Sequence, residues 1–397
     1  MSEWRKVTIG ELVTLRQGFA INAKSKHYIS KEQTSLALLR IADMKSGSKE
    51  IFVKEDIPQN FIAKPQDIIY TRTGNVGLVF RNNYGVVHNN CFTVTPNDEW
   101  ILSRDFLYYL LQSQYFFEKA NSLARGAAQP DLPHSLFNSI EISYPSLQVQ
   151  NKIATILSRY DSLIENYQKQ IKLLEESAQR LYKEWFIDFR FPGYENTKIV
   201  DGVPEGWEKK KLGDVSKTTS GGTPSRTNNS FYSGSIMWVK TKELCDGFIF
   251  NTEEKITEEA IKKSSAKIVP AGSILMAMYG ATIGKLGIAT KDLTCNQACC
   301  VFLISEDNPL RWYIFNWLLQ NRNFLISQGK GATQPNLSQD MIKGFELIIP
   351  DDKSLRGYNL LINPIYLNIK SLQFQIRHLT EARDRLLPKL MSGEIEV

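Results

Sequence analysis

The chain has 397 residues and a formal net charge of +6 at pH 7, a length at which two or three domains are expected. Hydrophobic residues make up 42% and charged residues 23%, which excludes a wholly disordered chain. The positive charge is compatible with a polyanionic partner but does not by itself predict one, because many soluble proteins carry as much.

The cysteine pattern and the N-terminal sequence narrow the class further. The five cysteines include no C-x-x-C pair and the chain has only four histidines, so neither a metal site nor a disulfide framework is predicted. The first residues, MSEWRKVTIGEL, are not a signal peptide, and no apolar run approaches the length that spans a membrane. We therefore expect a cytoplasmic protein without membrane contact.

Residues 1–145 are predicted to form the first of two mixed domains. Short β-branched and aromatic runs bounded by glycine, proline or asparagine are typical of strands, here Asp67–Tyr70, Val76–Phe80 and Cys91–Thr95. The stretch Phe106–Lys119 is predicted to be helical. Because its aromatic residues have helical spacing, we expect them in the core rather than on a base-stacking platform.

Residues 146–190 predict a long coiled-coil helix. Apolar residues recur from Ile153 to Trp185 in alternating steps of four and three, which is the a/d pattern of a coiled-coil seam. Pro145 precedes the stretch, and Phe191-Pro192-Gly193 ends it. At 1.5 Å per residue such a helix is roughly 60 Å long, which favours a spacer. The seam residues chosen for this helix are Leu157, Ile164, Ile171, Leu174 and Leu181.

The second half of the chain has the same organisation. Residues 191–206 are rich in glycine and proline and predict a linker. In residues 207–350, strands are predicted at Ile236–Val239, Ile283–Ala289 and Cys299–Ile304, and a helix at Leu310–Ile326. Residues 351–397 predict a second seam helix, with Ile369, Leu372, Ile376, Leu379 and Leu386 as seam residues.

The two halves are an internal repeat. Trp4–Val13 parallels Trp207–Ser216, and Gly126–Leu132 parallels Gly331–Leu337. An offset of 205 positions superposes the helix registers, since it carries Ile171 to Ile376.

We therefore predict a mixed α/β (α+β) fold in which two similar domains are separated by two long antiparallel helices related by a pseudo-two-fold repeat. Two departures from the repeat are expected to matter. Arg383 replaces Ala178 on the seam, and Pro364 predicts a kink or a start in the second helix.

Three local patterns are typical of enzymes but fail in detail. Asn363–Tyr366 lacks the second proline of an adenine methyltransferase motif and falls within the heptad pattern. Gly280–Leu286 is one residue too short for a phosphate-binding loop, so a tight turn between strands is predicted. Asp351–Lys353 precedes a predicted helix, so its acids are interpreted as N-terminal capping charges. No set of catalytic residues is predicted.

Matching loops in both repeats are candidates for reading DNA. Arginine, lysine, asparagine and glutamine are the side chains that bind the edges of guanine and adenine, and glycine allows a close approach to the duplex. The presence of any one of these residues is explained at least as well by a role in forming the turn. The occurrence of matching loops in both repeats is what favours DNA contact. The candidates in the first repeat are Arg16, Gln17, Lys24, Lys26, Arg72, Thr73, Asn75, Arg125 and Gln129. Those in the second are Thr223, Ser225, Arg226, Asn228, Tyr279, Thr282, Lys285, Lys330, Thr333 and Gln334.

The whole chain resembles the specificity subunits of type I restriction–modification systems. The resemblance rests on WEKKKLGDV at Trp207–Val215, GATQPNLS at Gly331–Ser338, the link Trp185–Gly206 and the ending LMSGEIEV at Leu390–Val397. The first repeat departs from the pattern at Gly126–Ser135, where Asp131 and Pro133 alter the usual ending and leave the local loop path open.

The resemblance implies two target-recognition domains, at residues 1–145 and 207–350, with the two helices packed antiparallel between them. It implies a subunit without an active site that brings two methyltransferase subunits, and often two ATP-driven restriction/translocase subunits, to a bipartite asymmetric double-stranded DNA target. S-adenosylmethionine, ATP and magnesium would then belong to the partner subunits.

Two other functions remain open at this point. A self-contained DNA methyltransferase or nuclease would bind S-adenosylmethionine or carry a carboxylate cluster. A coiled-coil scaffold without DNA contact would not shift random duplexes in a gel.

Overall fold

The computed structural model describes residues 4–329 and 336–397. The chain divides into two compact units. Unit 1 comprises Met1–Ile164 with His378–Val397, and unit 2 comprises Glu165–Arg377. Each long helix contributes one end to each unit.

Unit 1 is built from short strands and short helices. Its strands are β1 (Arg5–Thr8), β2 (Val13–Gln17), β3 (Ile29–Ser30), β4 (Leu36–Leu39), β5 (Phe52–Val53), β6 (Ile62–Ala63), β7 (Ile68–Thr71), β8 (Val79–Phe80), β9 (Gly85–Val87), β10 (Cys91–Pro96) and β11 (Glu141–Tyr144). Its short helices are α1 (Ile41–Ser46), α2 (Arg104–Gln112), α3 (Gln114–Leu123) and α4 (His134–Asn138). Single 3-10 turns lie at Ile9–Glu11, Lys26–Tyr28 and Gln59–Phe61.

The strands of unit 1 form a four-stranded sheet in the order β2-β10-β7-β8, a five-stranded sheet in the order β3-β5-β4-β9-β6, and the pair β1-β11. Val94 of β10 lies opposite both Leu15 and Ile68 in the four-stranded sheet. Tyr70 and Phe92 from this sheet pack on Phe137 of α4, with ring centroids 5.1 Å away in each case.

The helix predicted at Phe106–Lys119 is divided into α2 and α3 at Ser113. The hydroxyl of Ser113 accepts a hydrogen bond from the backbone N–H of Phe116 at 3.3 Å and so caps α3. Phe106, Tyr109 and Phe116 are buried as predicted, whereas Tyr115 and Phe117 on α3 are 49% and 38% exposed, so only part of this aromatic set belongs to the core.

After α5 (Leu147–Phe186), the chain enters the second repeat. Its strands are β12 (Ile199–Val200), β13 (Val203–Pro204), β14 (Glu208–Lys211), β15 (Thr218–Ser220), β16 (Ile236–Val239), β17 (Gly247–Ile249), β18 (Glu254–Ile256), β19 (Ile274–Ala277), β20 (Leu286–Ala289), β21 (Thr294–Cys295), β22 (Cys299–Phe302) and β23 (Glu346–Ile349). Its helices are α6 (Leu212–Val215), α7 (Glu258–Lys262), α8 (Arg311–Gln320), α9 (Arg322–Ser327), α10 (Gln339–Gly344) and α11 (Asp352–Met391). Its 3-10 turns lie at Tyr194–Asn196, Asn229–Tyr232 and Thr241–Glu243.

The sheets of unit 2 follow a similar plan. They are a five-stranded sheet in the order β15-β22-β19-β20-β17, a three-stranded sheet in the order β18-β16-β21, and the pairs β14-β23 and β12-β13. Phe302 of β22 lies opposite Thr218 and Ile274, as Val94 lies opposite Leu15 and Ile68. Both repeats also contain parallel pairs, β4 with β9 in unit 1, and β16 with β21 and β17 with β20 in unit 2.

Helix α11 begins at Asp352 rather than at Pro364. The Asp351 carboxylate accepts a hydrogen bond from the backbone N–H of Ser354 at 2.7 Å, which caps the first turn as the sequence predicted. The helix continues through Pro364, although an interior proline costs about 3 kcal/mol. Burial of the neighbouring residues Ile362 and Tyr366 in unit 2 helps to offset that cost.

The ends of the two long helices are antiparallel within each unit. In unit 1, Ile153 and Leu157 near the start of α5 share a core with Leu390 and Met391 at the end of α11. In unit 2, Phe186 at the end of α5 packs on Tyr358 near the start of α11, with ring centroids 4.7 Å apart.

The predicted seam residues lie on the inner faces of these helices, but the buried stripe is wider than a coiled-coil seam. Ala154, Tyr182 and Phe186 are also buried, because both ends of α5 enter the core of a unit. Leu157, Ile164, Ile171, Ile369 and Leu372 are buried, and Leu174, Leu181, Ile376, Leu379 and Leu386 are half-buried.

Within the described part of the chain, no helix is both long and apolar enough to cross a membrane. The same residues contain no group of three or more histidine, cysteine or acidic side chains suited to a metal ion.

Candidate nucleic-acid interface

The candidate loops of each repeat are held by the same backbone hydrogen bonds. In unit 1, Arg72 N donates to Asn90 O at 2.8 Å and Leu132 N donates to Arg72 O at 2.9 Å. In unit 2, Met278 N donates to Ala298 O at 2.9 Å and Leu337 N donates to Met278 O at 2.8 Å. The segment that follows the central strand is therefore tied to the same two neighbours in both repeats.

A second pair of contacts joins the end of β4 to the segment after β9 in unit 1, and the end of β16 to the segment after β21 in unit 2. His88 N donates to Leu39 O at 3.3 Å in unit 1, and Asn296 N donates to Val239 O at 2.9 Å in unit 2. We call these convergent segments, which include most of α1 and the 3-10 turn Thr241–Glu243, the loop cluster of each repeat. It comprises residues 40–45, 72–75, 88–90 and 125–131 in the first repeat, and residues 240–243, 278–285 and 296–298 in the second.

The loop cluster of the first repeat surrounds a cavity of about 480 Å³, which we call the first-repeat cleft. Thr73, Asn75 and Gln129, all predicted from the sequence as DNA-contacting residues, lie in its wall. The residues lining the cleft are Arg40, Ile41, Ala42, Lys45, Thr73, Gly74, Asn75, His88, Asn90 and Gln129.

Arg72 is held within the fold by three side-chain hydrogen bonds. Its Nε and Nη2 donate to the two carboxylate oxygens of Asp131 at 3.0 and 2.6 Å, and its Nη1 donates to Gln17 Oε1 at 3.0 Å. The hydrogen bond from Arg72, with a second from Thr73, lowers the pKa of the Asp131 carboxyl although burial opposes the shift. Arg72 therefore fixes the loop cluster, which limits what its guanidinium can offer to a ligand.

The same ion pair defines the loop path that the sequence left open at Gly126–Ser135. Arg125 N donates to Asp131 O, and Asp131 N donates to Arg125 O, each at 2.8 Å. Gly126 has φ +98°, and a Cβ there would lie 2.8 Å from Gln129 O. The turn therefore requires glycine, and it exposes the side chains of Arg125 and Gln129.

The other predicted residues of the first repeat lie outside the cleft. Arg16 donates to Ile62 O at 3.3 Å and pairs with Asp67 at 3.4 Å. Gln17 Nε2 donates to Asn89 O at 2.7 Å. Lys24 and Lys26 are exposed.

In the second repeat, Lys285 is also paired within the fold. Its Nζ donates to Asp246 Oδ2 at 2.7 Å, and the same carboxylate binds Arg322. Tyr279 is 37% exposed at the position that corresponds to Thr73. Thr282 is half-buried and its carbonyl accepts a hydrogen bond from Lys285 N at 2.9 Å.

The loop after β15 is ordered by its own side chains. Arg226 pairs with Glu254 at 2.7 Å and its guanidinium lies 4.2 Å from the Tyr232 ring centroid. Asn228 Oδ1 accepts from Ser230 N at 3.2 Å, which caps the Asn229–Tyr232 turn. The hydroxyls of Ser225 and Thr227 are 2.8 Å apart, and Thr223 hydrogen-bonds Gln297. Lys330, Thr333 and Gln334 lie outside the described residues.

Sequence reasoning missed Arg40, Lys45, His88 and Asn90, all of which line the cleft. What they share is their place in the sequence after the buried strands β4 and β9. They do not belong to the glycine-rich stretches from which the other candidates come. Arg40 pairs with Asp43 at 2.7 Å and Glu50 at 2.5 Å. His88 Nδ1 accepts from Asn90 N at 3.2 Å, and burial, with a contribution from Arg40, lowers the pKa of this imidazole.

The rejected enzyme motifs have the structural roles that the sequence favoured. Gly280–Leu286 connects the antiparallel strands β19 and β20, and Gly280 has φ +84°. Asn363 lies inside α11, where its Oδ1 accepts a hydrogen bond from Trp312 Nε1 at 3.0 Å.

Known proteins share this organisation. The family model described as the type I restriction modification DNA specificity domain matches residues 1–176 and again residues 204–354. The type I restriction enzyme MjaIX specificity subunit of Methanocaldococcus jannaschii is 32% identical, over 83% of this chain and 78% of its own length. The HindI specificity subunit of Haemophilus influenzae is 25% identical over the full length of both chains.

A solved structure has the same fold. The crystal structure of the type I restriction-modification system S subunit from M. genitalium superposes with a TM-score of 0.62 at 16% identity, covering 98% of this chain and 96% of that one. The mixed fold with a tandem repeat and two long helices is thereby confirmed.

The tandem repeat and the two long helices, together with these relatives, place the chain in a class of recognition subunits that carry no catalytic centre of their own. The chain belongs to the family of type I restriction–modification specificity subunits.

Proposed function

We propose that the chain reads a bipartite, asymmetric double-stranded DNA sequence, with one half-site for each recognition domain. The observation that carries this proposal is that both loop clusters have the same backbone hydrogen bonds but different side chains. Two readers with the same framework and different chemistry should each recognise a different short sequence. Since each correct base pair contributes about 1–3 kcal/mol of discrimination, two domains together achieve a specificity that neither reaches alone.

We assign the domain roles along the chain from the repeat. Residues 1–145 and 207–350 are the two target-recognition domains, 146–190 and 351–397 are the helices that set the spacing between half-sites, and 191–206 are the linker. Each helix has one face buried in the units, which leaves an outer face for other subunits.

The helices are proposed to dock two methyltransferase subunits and, through them, the restriction subunits. Several large apolar residues on the helices are exposed, although apolar side chains of this size are usually buried. Leu360 is 78% exposed and Leu367 54% exposed on α11, and Leu173 is 63% exposed on α5. Leu360 and Leu367 are seven residues apart and so lie on one face of the helix, as a helical partner would require.

The test is to express the full-length chain with its methyltransferase partner in a host without adenine methylation and to sequence the modified genome. We expect a single motif with two different half-sites and a fixed spacer. A palindromic motif, or methylation without a fixed spacer, would contradict the two-reader proposal. Methylation by the methyltransferase alone would assign recognition to that subunit.

Binding experiments on the complex provide an independent check. Affinity for DNA should fall steeply as salt is raised, because cationic side chains displace ions from the phosphates. Affinity unchanged across a salt series would favour the scaffold alternative. Binding of S-adenosylmethionine by the isolated chain would favour the enzyme alternative.

A further inference from the structure

We propose that the first half-site is read by the amide side chains of Asn75, Asn90 and Gln129 in the first-repeat cleft, while Lys45 contacts the phosphate backbone beside them. This inference rests on the proposed function and assigns the recognition of bases to particular groups. The ligand is the major-groove edge of duplex DNA, where amides bind base edges.

The two arginines in and beside the cleft already have carboxylate partners inside the fold. Arg40 is paired with Asp43 and Glu50, and the neighbouring Arg72 is paired with Asp131. A contact from either arginine to a base would first have to break a charged hydrogen bond, which costs about 1.5–3 kcal/mol. These arginines are therefore poor candidates for readers.

The amide side chains of the same cleft, unlike the arginines, are not engaged by other side chains. Within the described residues, the side chains of Asn75, Asn90 and Gln129 have no hydrogen-bond partner, and neither has the ammonium group of Lys45. Asn75, Gln129 and Lys45 are exposed and Asn90 is half-buried. They lie in one cavity, with the three amides on three separate loops and Lys45 on α1, so their polar groups converge on a common space.

The backbone that carries these amides is fixed. Asn90 N donates to His88 Nδ1 at 3.2 Å, and Asn90 O accepts from Arg72 N at 2.8 Å and Thr73 N at 3.2 Å. Asn75 N donates to Thr73 O at 3.1 Å, and Asn75 O accepts from the Thr71 hydroxyl. A backbone that is already fixed adds no loop-ordering cost on binding, so only the rotamer freedom of the side chains themselves is lost when they contact bases.

The second repeat supports the same division of roles. The hydrogen bonds around Arg72 recur around Met278, yet Ala298 occupies the place of Asn90 and Tyr279 that of Thr73. The framework is thus common to both repeats while the side chains directed from it change. This is the pattern expected if these positions select different bases.

The test uses the full-length chain in complex with its methyltransferase. Duplex libraries are randomised in the first half-site while the second half-site is held constant, and bound sequences are counted. For Asn90→Ala and Gln129→Ala we expect preference at one or two base pairs of the first half-site to fall about tenfold or more, equivalent to about 1.4 kcal/mol. Preference at the second half-site and the melting temperature should not change.

A matched control is Gln59→Ala, which removes an exposed amide of the same unit outside the cleft. It should leave the preference at every base pair unchanged. Lys45→Ala should weaken binding to all library members equally and reduce the salt dependence by about one ion, because a phosphate contact carries no base information.

The inference is overturned if Asn90→Ala and Gln129→Ala complexes, folded as judged by melting temperature, keep the full base preference of the unaltered complex. It is overturned together with the proposed function if the unaltered complex shows no preference in the first half-site. If the unaltered complex is selective at the first half-site and the alanine variants are equally selective, only the inference is overturned and the proposed function stands.

Discussion

The two units fasten the same helix pair with different chemistry. In unit 1, Asp161 of α5 accepts hydrogen bonds from Arg383 of α11 at 2.7 Å and from Tyr109 of α2 at 2.5 Å, with Arg81 at 3.7 Å. We call these four residues the ionic cluster. In unit 2, Asn316 Oδ1 of α8 accepts from Tyr366 of α11 at 2.8 Å and from Gln179 of α5 at 2.7 Å, and we call these three the neutral cluster.

The clusters occupy corresponding places in the repeat, so the difference is informative. The offset of 205 positions carries Asp161 to Tyr366 and Ala178 to Arg383. Where α11 presents a guanidinium to Asp161, α5 has only a methyl group at the equivalent position. The helices therefore match each other better than either would match a second copy of itself, as single polar positions do in coiled coils.

The first way to break the pairing is to place a charge on the seam. Ile171 is buried in unit 2, so Ile171→Glu would bury a carboxylate without a partner. We expect a loss of more than about 3 kcal/mol in the free energy of unfolding and loss of assembly with the methyltransferase. Chemical denaturation and co-purification measure the two effects.

Leu173→Glu provides the matched control, since Leu173 lies two residues further along α5 and is 63% exposed. It should leave the free energy of unfolding unchanged and weaken only recruitment of the methyltransferase. Equal destabilisation by both variants would contradict the seam assignment.

The neutral cluster should be the stronger of the two clusters because it is more deeply buried. Asn316 is fully buried and Tyr366 is 4% exposed. Asn316→Ala would leave the hydroxyl of Tyr366 and the amide of Gln179 unpaired, so we expect a loss of about 2–3 kcal/mol. Gln320→Ala removes an exposed amide from the same helix and should change the stability by less than about 0.5 kcal/mol.

The contrast also shows what the sequence could reveal of the fold. The heptad rhythm predicts a long helix at residues 146–190, and α5 spans Leu147–Phe186, although its buried stripe is wider than a coiled-coil seam. The start of α11 is less well determined by the sequence, because the capping acids at Asp351–Lys353 predict a start there while Pro364 predicts a kink or a later start. Pro364 suggested an interruption, whereas the burial of Ile362 and Tyr366 in unit 2 keeps the helix continuous.

The site was less predictable because the partners of its charges are distant in sequence. Arg72 and Lys285 are typical DNA-contacting residues when the sequence is considered alone. Their carboxylate partners, Asp131 and Asp246, lie 59 and 39 positions away, and only the fold brings them together. The doubled loops predict the regions that form the loop clusters, but the proposed choice of base-reading residues depends on which side chains the fold leaves without a partner.

The difference between the two helices predicts how the half-length chain Met1–Pro192 would pair with itself. Its seam could pair antiparallel with a second copy, and two identical readers would then recognise a palindrome built from the first half-site. In that dimer Asp161 would face Ala178 of the other copy and lack the guanidinium that Arg383 supplies. Ala178→Arg in the half-length chain should therefore lower the dissociation constant of the dimer about tenfold, or about 1.4 kcal/mol.

Analytical ultracentrifugation measures that dissociation constant, and sequencing of methylated DNA identifies the palindrome. The control is Ala178→Gln, which adds a long side chain without the charge. Equal dimerisation of the arginine and glutamine variants would show that side-chain volume, rather than charge, governs the pairing.

The ionic cluster itself should contribute least, since the side chains of Arg383 and Asp161 remain 25% and 22% exposed. Arg383→Ala in the full-length chain removes the charged hydrogen bond to Asp161 and two to the exposed Asp384. Tyr109 and Arg81 still contact Asp161 and the Asp384 pair is exposed, so we expect a loss of only about 1 kcal/mol at low salt. Because partly exposed charges are screened, the loss should shrink as salt is raised towards 1 M. The loss caused by Asn316→Ala, which involves no charge, should stay constant over the same series. Denaturation curves of both variants at several salt concentrations test the comparison, and a parallel response to salt would show that the two units do not fasten the helices by different chemistry.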